Sequence, residues 1–248
     1  MGDRTRLLLT GVAAVGAVAV TVAAPAPWHW FDGDDEQYVD APPASLRNFD
    51  GIVQRGPDTV IVTPGRDFSV TKEGDAQALK YVTLSVHDGA LRVGRRGTDG
   101  WWGNGGNGVT IRVTMPRLAR VWITGSGEVQ ADGIDAREFA ARLDGSGGLK
   151  VANIKSDMVR LSLNGSGEMD LAGRAGAVSA VLVGSGDVRA QTLKAQTADV
   201  SVTGSGEVRA QASQSAKVAV SGSGHAQVDG TNRCQIQKAG SGDAECIS

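Results

Sequence analysis

The tripeptide Gly-Ser-Gly occurs seven times in the second half of this 248-residue chain, beginning at Gly125, Gly145, Gly165, Gly184, Gly204, Gly222 and Gly240. The spacings are 20, 20, 19, 20, 18 and 18 residues. A period of that length marks one supersecondary unit stacked repeatedly on itself. The residues around the tripeptide say what the unit is. Two before each first Gly stand Ile123, Leu143, Leu163, Leu182, Val202, Val220 and Lys238. Two after each second Gly stand Val129, Leu149, Met169, Val188, Val208, Ala226 and Ala244. The next positions outward by two are also almost wholly apolar, from Val121 and Ala131 in the first unit to Ile236 and Cys246 in the last. A period of two on both sides of a tight bend predicts strand, corner, strand.

Equivalent strands of successive units then pair in parallel, about 4.8 Å apart, and the seven units give a rod on the order of 30 Å long. The expected fold is all-β, a parallel β-helix or β-solenoid with coils of roughly 18–20 residues. Rival architectures fit worse. A propeller blade needs four strands in about 40 residues and is richer in aromatics. Here aromatics make up only 4%. An antiparallel sandwich gives no reason for a fixed corner tripeptide. A narrow coil does: its corner bends sharply, glycine reaches backbone angles closed to other residues, and a Cβ would crowd the neighbouring corner. The fourteen corner glycines are therefore structural: Gly125 and Gly127, Gly145 and Gly147, Gly165 and Gly167, Gly184 and Gly186, Gly204 and Gly206, Gly222 and Gly224, Gly240 and Gly242. The serine hydroxyls either ladder up the stack or bond corner backbone groups locally.

Ahead of the array the chain divides by composition. Arg4 and Arg6 precede an uncharged apolar run, Leu7 to Ala24. Residues 1–24 read as a signal peptide, or as an N-terminal membrane anchor, since Pro25 follows the small residues Val22-Ala23-Ala24 directly. Both options place the remainder outside the cytoplasm, in the periplasm or cell envelope. Without a nearby Cys, the segment is not a lipoprotein signal. Residues 25–45 are acidic and then Pro-rich, an extended linker. The solenoid domain is expected over 46–248, with an irregular part over 46–116 and regular repeats over 117–248. The irregular part has alternating stretches at Asp58–Thr63, Phe68–Lys72, Tyr81–His87 and Ala90–Val93, a short helix over Asp75–Lys80 and a hairpin-type turn at Asp88-Gly89. Such an atypical terminal unit is what a stack needs.

These residues resemble a known family. Asn48-Phe49-Asp50-Gly51-Ile52, Val60-Ile-Val-Thr-Pro-Gly65, His87-Asp-Gly-Ala-Leu-Arg-Val93 and the Gly-Ser-Gly-acidic corners are similar to the bacterial family described as putative auto-transporter adhesin, head GIN domain. The resemblance covers about Leu46 to Ser248. It implies a β-helix-like fold outside the cytoplasm, and it supplies no catalytic residues.

The candidate chemistry is sparse. After each second Gly come Glu128, Gly148, Glu168, Asp187, Glu207, His225 and Asp243. A carboxylate ladder suggests a calcium site. The preferred reading is a solvated edge compensated by Lys150, Arg189 and Arg209, two residues further on. A serine nucleophile needs a base, and His225 is the lone histidine of the array. The net charge of −2 gives no footprint for nucleic acid. No cofactor and no metal are expected. Trp101 and Trp102 lie in a Gly/Asn-rich loop, where they either stack on sugar rings or fold back over the first coil. They are the candidate ligand-binding residues. Cys234 and Cys246 both fall at inward positions of the last coil and are expected to form a disulfide capping it. The expected function is a non-enzymatic adhesion or scaffold module of the cell envelope, with an envelope component or surface glycan as partner. The rivals are a carbohydrate-active β-helix enzyme, which needs clustered carboxylates on one groove, and an end-to-end self-assembling rod.

Overall fold

The computed structural model describes residues 40–96 and 108–248. The N-terminal part forms β1 (Gly51–Arg55), β2 (Thr59–Pro64), β3 (Ser69–Glu73), the one-turn α1 (Ala76–Leu79), β4 (Val82–His87), β5 (Ala90–Arg95) and β6 (Thr110–Met115). The array follows with β7 (Arg120–Gly125), β8 (Glu128–Asp135), β9 (Glu138–Gly145), β10 (Gly148–Gly165), β11 (Glu168–Gly184), β12 (Asp187–Gly204), β13 (Glu207–Gly222), β14 (His225–Asp229), β15 (Cys234–Gly240) and β16 (Asp243–Ile247).

These strands build a β-solenoid. Each rung has a strand running into the Gly-Ser-Gly corner and a strand running out of it. β10 to β13 are long because each leaves one corner, bends round the far side of the coil and enters the next corner. Register follows the repeat: Leu163 pairs in parallel with Leu143 and Leu182, and Leu149 with Val129 and Met169. The positions read as inward are inward up to the last rung, where Ile236 is exposed. Ile123, Leu143, Leu163, Leu182, Val202 and Val220 are all buried. Each such aliphatic side chain contributes roughly 1.5–3 kcal/mol of transfer free energy. Lys238 is exposed in the last rung as well and bonds Asp243 at 2.8 Å.

The corners work as sterics demands. The first glycines have φ between 110° at Gly125 and 133° at Gly145, a region that favours glycine. Successive corners are linked through the backbone: Ser166 N–H donates to Gly145 O at 3.0 Å, and Glu168 N–H to Gly147 O at 3.1 Å. The ladder therefore runs mainly through the serine and acidic-residue amides. Among the described residues the corner hydroxyls meet at Ser223 and Ser241, 3.1 Å apart.

The N-terminal part is more regular than its sequence, but its order is shuffled. β1 lies between β5 and β7, and β2 between β6 and β8, all parallel. The β1–β2 rung is thus inserted beneath a rung that follows it in sequence. Outside that rung, β3 pairs with β6 and β4 with β5, both antiparallel. These two strands change direction and close that end of the stack against further parallel pairing. Asp88 (φ 50°) and Gly89 (φ 69°) make the tight β4–β5 turn. Asp75 caps α1 by accepting from the Gln77 and Ala78 amides. Residues 40–45 run against the solenoid: Ala41 N–H donates to Leu84 O at 2.7 Å, and Asp40 pairs with Lys72 at 2.9 Å.

The entry motif is a clamp. Asp50 accepts from Arg117 at 2.7 Å and Arg120 at 2.6 Å, tying the start of β1 to the start of β7. Burial pushes the Asp50 carboxyl up, but hydrogen bonds from Arg117 and Arg120 outweigh it and hold the pKa below its ordinary value. A depressed carboxylate stabilises the fold above the unfolded-state pKa and loses that contribution as pH falls through the folded-state value. Wild-type protein should therefore lose stability from about pH 4 downward, and Asp50→Asn should show a flatter acid limb. Urea midpoints measured across that range test this, and superimposable limbs for the two proteins would refute it.

At the other end, Cys234 and Cys246, 12 positions apart in sequence, are bonded across the last rung with Cα atoms 6.4 Å apart. The link joins the two faces of the coil where β15 and β16 lack a further rung among the described residues. A loop of that size adds about 3 kcal/mol in the chain-entropy model.

Candidate functional site

Three parts of the surface carry chemistry-bearing side chains. The first is the edge just beyond the Gly-Ser-Gly corners. Here Glu168, Asp187 and Glu207 pair with cations expected to compensate them. Arg189 pairs with Glu168 on the neighbouring rung and with Asp187 on its own at 3.2 Å. Arg209 pairs with Glu207 at 2.6 Å. Lys150 faces Asp170 in register. His225 Nε2 stands 3.8 Å from Glu245, and among the described residues no hydrogen bond joins it to a corner serine. Among the described residues, too, no group of three or more His, Cys, Asp or Glu side chains is arranged to hold a metal ion. Exposed pairs of this kind contribute about 0–1 kcal/mol each.

The second part surrounds the flanks of residues 97–107, the segment that contains Trp101 and Trp102. Those two residues lie outside the described residues. Their flanks are well defined. The first corner of the fold is Gly56-Pro57-Asp58, not Gly-Ser-Gly, and its Asp58 is fully buried. The Asp58 carboxylate accepts from Arg95 Nε at 2.9 Å and Nη2 at 2.5 Å, and from the Val109 amide at 3.0 Å. Arg95 closes β5 and Val109 precedes β6, so one carboxylate clasps both ends of the segment. Beneath it, buried Gln54 donates to Gly56 O at 3.0 Å and Asp58 O at 2.9 Å. The sequence reading passed over Asp58 and Gln54, because their role depends on β1–β2 stacking against strands that come later in the chain.

On the outer face nearby, Trp122 lies between two guanidinium groups. Arg142 is 5.4 Å and Arg55 5.8 Å from its ring centroid, within cation–π range. Its indole N–H donates to Asp144 at 2.8 Å. Trp122 was legible as outward, since it sits between inward Val121 and Ile123. Its guanidinium neighbours were not, because Arg55 comes from the inserted rung.

The third part is the far side of the coil, opposite the Gly-Ser-Gly corners. There the bends use Gly133 (φ 108°), Asn153 (φ 57°) and Gly173 (φ 136°). Two open grooves of about 560 and 640 Å³ run there. Pro64, Pro116 and Arg117 wall the first, and Gln196, Gln211 and Ser213 edge the second. Asp135, Lys155, Arg174 and Lys194 line both, so the three cations and one carboxylate form the ridge between the grooves.

The family described as putative auto-transporter adhesin, head GIN domain, matches residues 48–232. No curated protein matches the chain. Among solved structures, one described as a putative adhesin from Bacteroides fragilis is similar, with a TM-score of 0.76 and 20% identity, covering 82% of this chain and 94% of the other. A protein from Parabacteroides distasonis described as a putative lipid binding protein has a TM-score of 0.63 at 20% identity, with the same coverage. A putative adhesin from Parabacteroides merdae has a TM-score of 0.61 at 18% identity, again covering 82% and 94%. At these identities the likeness is one of fold.

Proposed function

We propose, from the premise that the chain belongs to the head GIN domain family, that it is a non-enzymatic, exported adhesion or scaffold module of the cell envelope. The observation that carries this reading is the dispersal of the paired charges beside the Gly-Ser-Gly corners. Arg189, Arg209 and Arg142 each sit against a carboxylate, rung by rung along a rod. Catalysis by a β-helix enzyme calls instead for acids and bases convergent on one groove. Adhesin-named relatives support an adhesion-type module. The Cys234–Cys246 bond supports an oxidising compartment. Segment 7–24, read as signal or anchor, lies outside the described residues, and among those described no helix is long and apolar enough to cross a membrane.

The test is retention of the purified protein on isolated cell envelopes, with Trp101→Ala/Trp102→Ala beside wild type and fractionation of the producing cells. Wild type should be retained, the double variant should be retained less, and Cys234 and Cys246 should resist alkylation until reduced. Absence of retention on any envelope fraction would rule the adhesion reading out.

A further inference from the structure

We infer that the far-side ridge of Lys155, Arg174 and Lys194 is a binding site for an extended acidic polysaccharide. The inference rests on the adhesion reading and names the ligand class and the residues that meet it. The three cations occupy one register position on three successive rungs: Lys155 pairs with Arg174, and Arg174 with Lys194. Stacked like charges one strand spacing apart repel, and elsewhere on this rod such repulsion is relieved. Arg189 and Arg209 also stack in register, but each holds a carboxylate. Lys150 stacks on Asp170, and Lys217 on Asp199. Arg174, by contrast, has a cation on both sides, and among the described residues neither it nor Lys194 has a carboxylate within 4 Å. Lys155 alone has one, an exposed contact with Asp135 at 3.3 Å, which is worth little.

Repulsion retained on an outer surface, between two open grooves, is relieved by an external anion. The surroundings select its kind. Among the described residues neither groove is lined by an aromatic side chain on which nucleobases would stack. Among the described residues the exposed large apolar ones are Tyr81, Val183, Ile236 and Ile247, none of which lines either groove as an anchor for a lipid surface. Neutral hydrogen-bonding side chains flank the ridge, Asn153 on one side and Gln196 and Gln211 on the other, with Asp135 and Asp157 lying toward its Lys155 end. Amides beside a row of cations suit a chain that alternates hydroxyls with carboxylates. The grooves on both flanks leave room for sugar rings while the carboxylates face the ridge.

Binding of polygalacturonate to the full-length protein at low ionic strength tests this. Neutral dextran, oligothymidylate and anionic phospholipid vesicles serve as the other probes. Wild type should bind polygalacturonate and none of the other three. At about fivefold per removed surface cation, the triple variant Lys155→Gln/Arg174→Gln/Lys194→Gln should lose on the order of a hundredfold. The charge-preserving Lys155→Arg/Arg174→Lys/Lys194→Arg should bind as wild type does, and so should Arg189→Gln/Arg209→Gln on the opposite edge. All three positions are exposed, so unchanged thermal midpoints will show that the variants are folded. Equal binding by wild type and the triple variant would overturn the inference, as would ridge-dependent binding of oligothymidylate or vesicles at the strength of polygalacturonate. Envelope retention by wild type without polygalacturonate binding removes this ligand and leaves the adhesion reading standing. Absence of both removes both.

Discussion

Gly184→Ala is expected to destabilise the fold by about 3–5 kcal/mol. Gly184 is the first corner glycine of a central rung, with φ of 128°. A Cβ there would stand 2.2 Å from Gly165 O and 3.0 Å from its carbonyl carbon. Both are backbone atoms of the rung below, so no side chain can swing aside. Relief requires the two rungs to separate, and separation breaks the Ser185 and Gly186 amide bonds to Gly165 O, at 2.9 and 3.1 Å. Backbone strain and the lost bonds therefore add. Ser185→Ala, one residue on, keeps the amide and should change stability by less than about 0.5 kcal/mol. Urea unfolding of the pair decides the matter. A Gly184→Ala cost below 1 kcal/mol would mean that the corner is not sterically closed.

The second large effect is expected at Asp58. Asp58→Ala leaves Arg95, whose side chain is 17% exposed, without its anion and leaves the Val109 amide without its acceptor. Removing one partner of a buried pair costs about 3–5 kcal/mol, and partial access of Arg95 to water places this case near the lower figure. Asp58→Asn retains an acceptor for Val109 and should cost less. Because the same carboxylate clasps both flanks of segment 97–107, Asp58→Ala should also weaken any retention on envelopes that depends on Trp101 and Trp102. Unfolding midpoints, with retention measured on the same variants, test both. A stability change within 1 kcal/mol would show that the clasp is not needed.

The array was legible because its signal is local and repeated. One apolar face, read on either side of Gly125-Ser126-Gly127, recurs at each corner, so strand, bend and parallel register follow from sequence spacing alone. The last-rung disulfide was legible for the same reason: Cys234 and Cys246 stand at inward positions defined by the six earlier units. The N-terminal part was read element by element, and α1 and the Asp88-Gly89 turn were found that way. Its topology was not visible. Nothing local to Gly51–Arg55 says that its neighbours are Ala90–Arg95 on one side and Arg120–Gly125 on the other. The same blindness hid the Asp58 clasp and the guanidinium groups about Trp122, since each joins residues brought together only by the inserted rung. The cation ridge was hidden differently. Lys155, Arg174 and Lys194 fall in the variable part of the unit, where bends and bulges shift the spacing, so alignment on the corners does not superimpose them.

The inserted rung also bears on how the molecule reaches its native state. Asp50, at the threshold of β1, bonds Arg120, 70 residues later. The earliest strands to be synthesised are therefore among the last to find both their neighbours. From Gly125 onward each new coil meets a finished template and closes with only short-range contacts. Topology of this kind gives one slow, non-local step followed by rapid local additions. It makes the coil number adjustable in one direction only. Deleting a whole coil, from Ser166 through Gly184, would bring two like corners together in register and leave a shorter rod. A cut of the same length ending before Gly125 would remove β7 and leave β1 with one of its two neighbours.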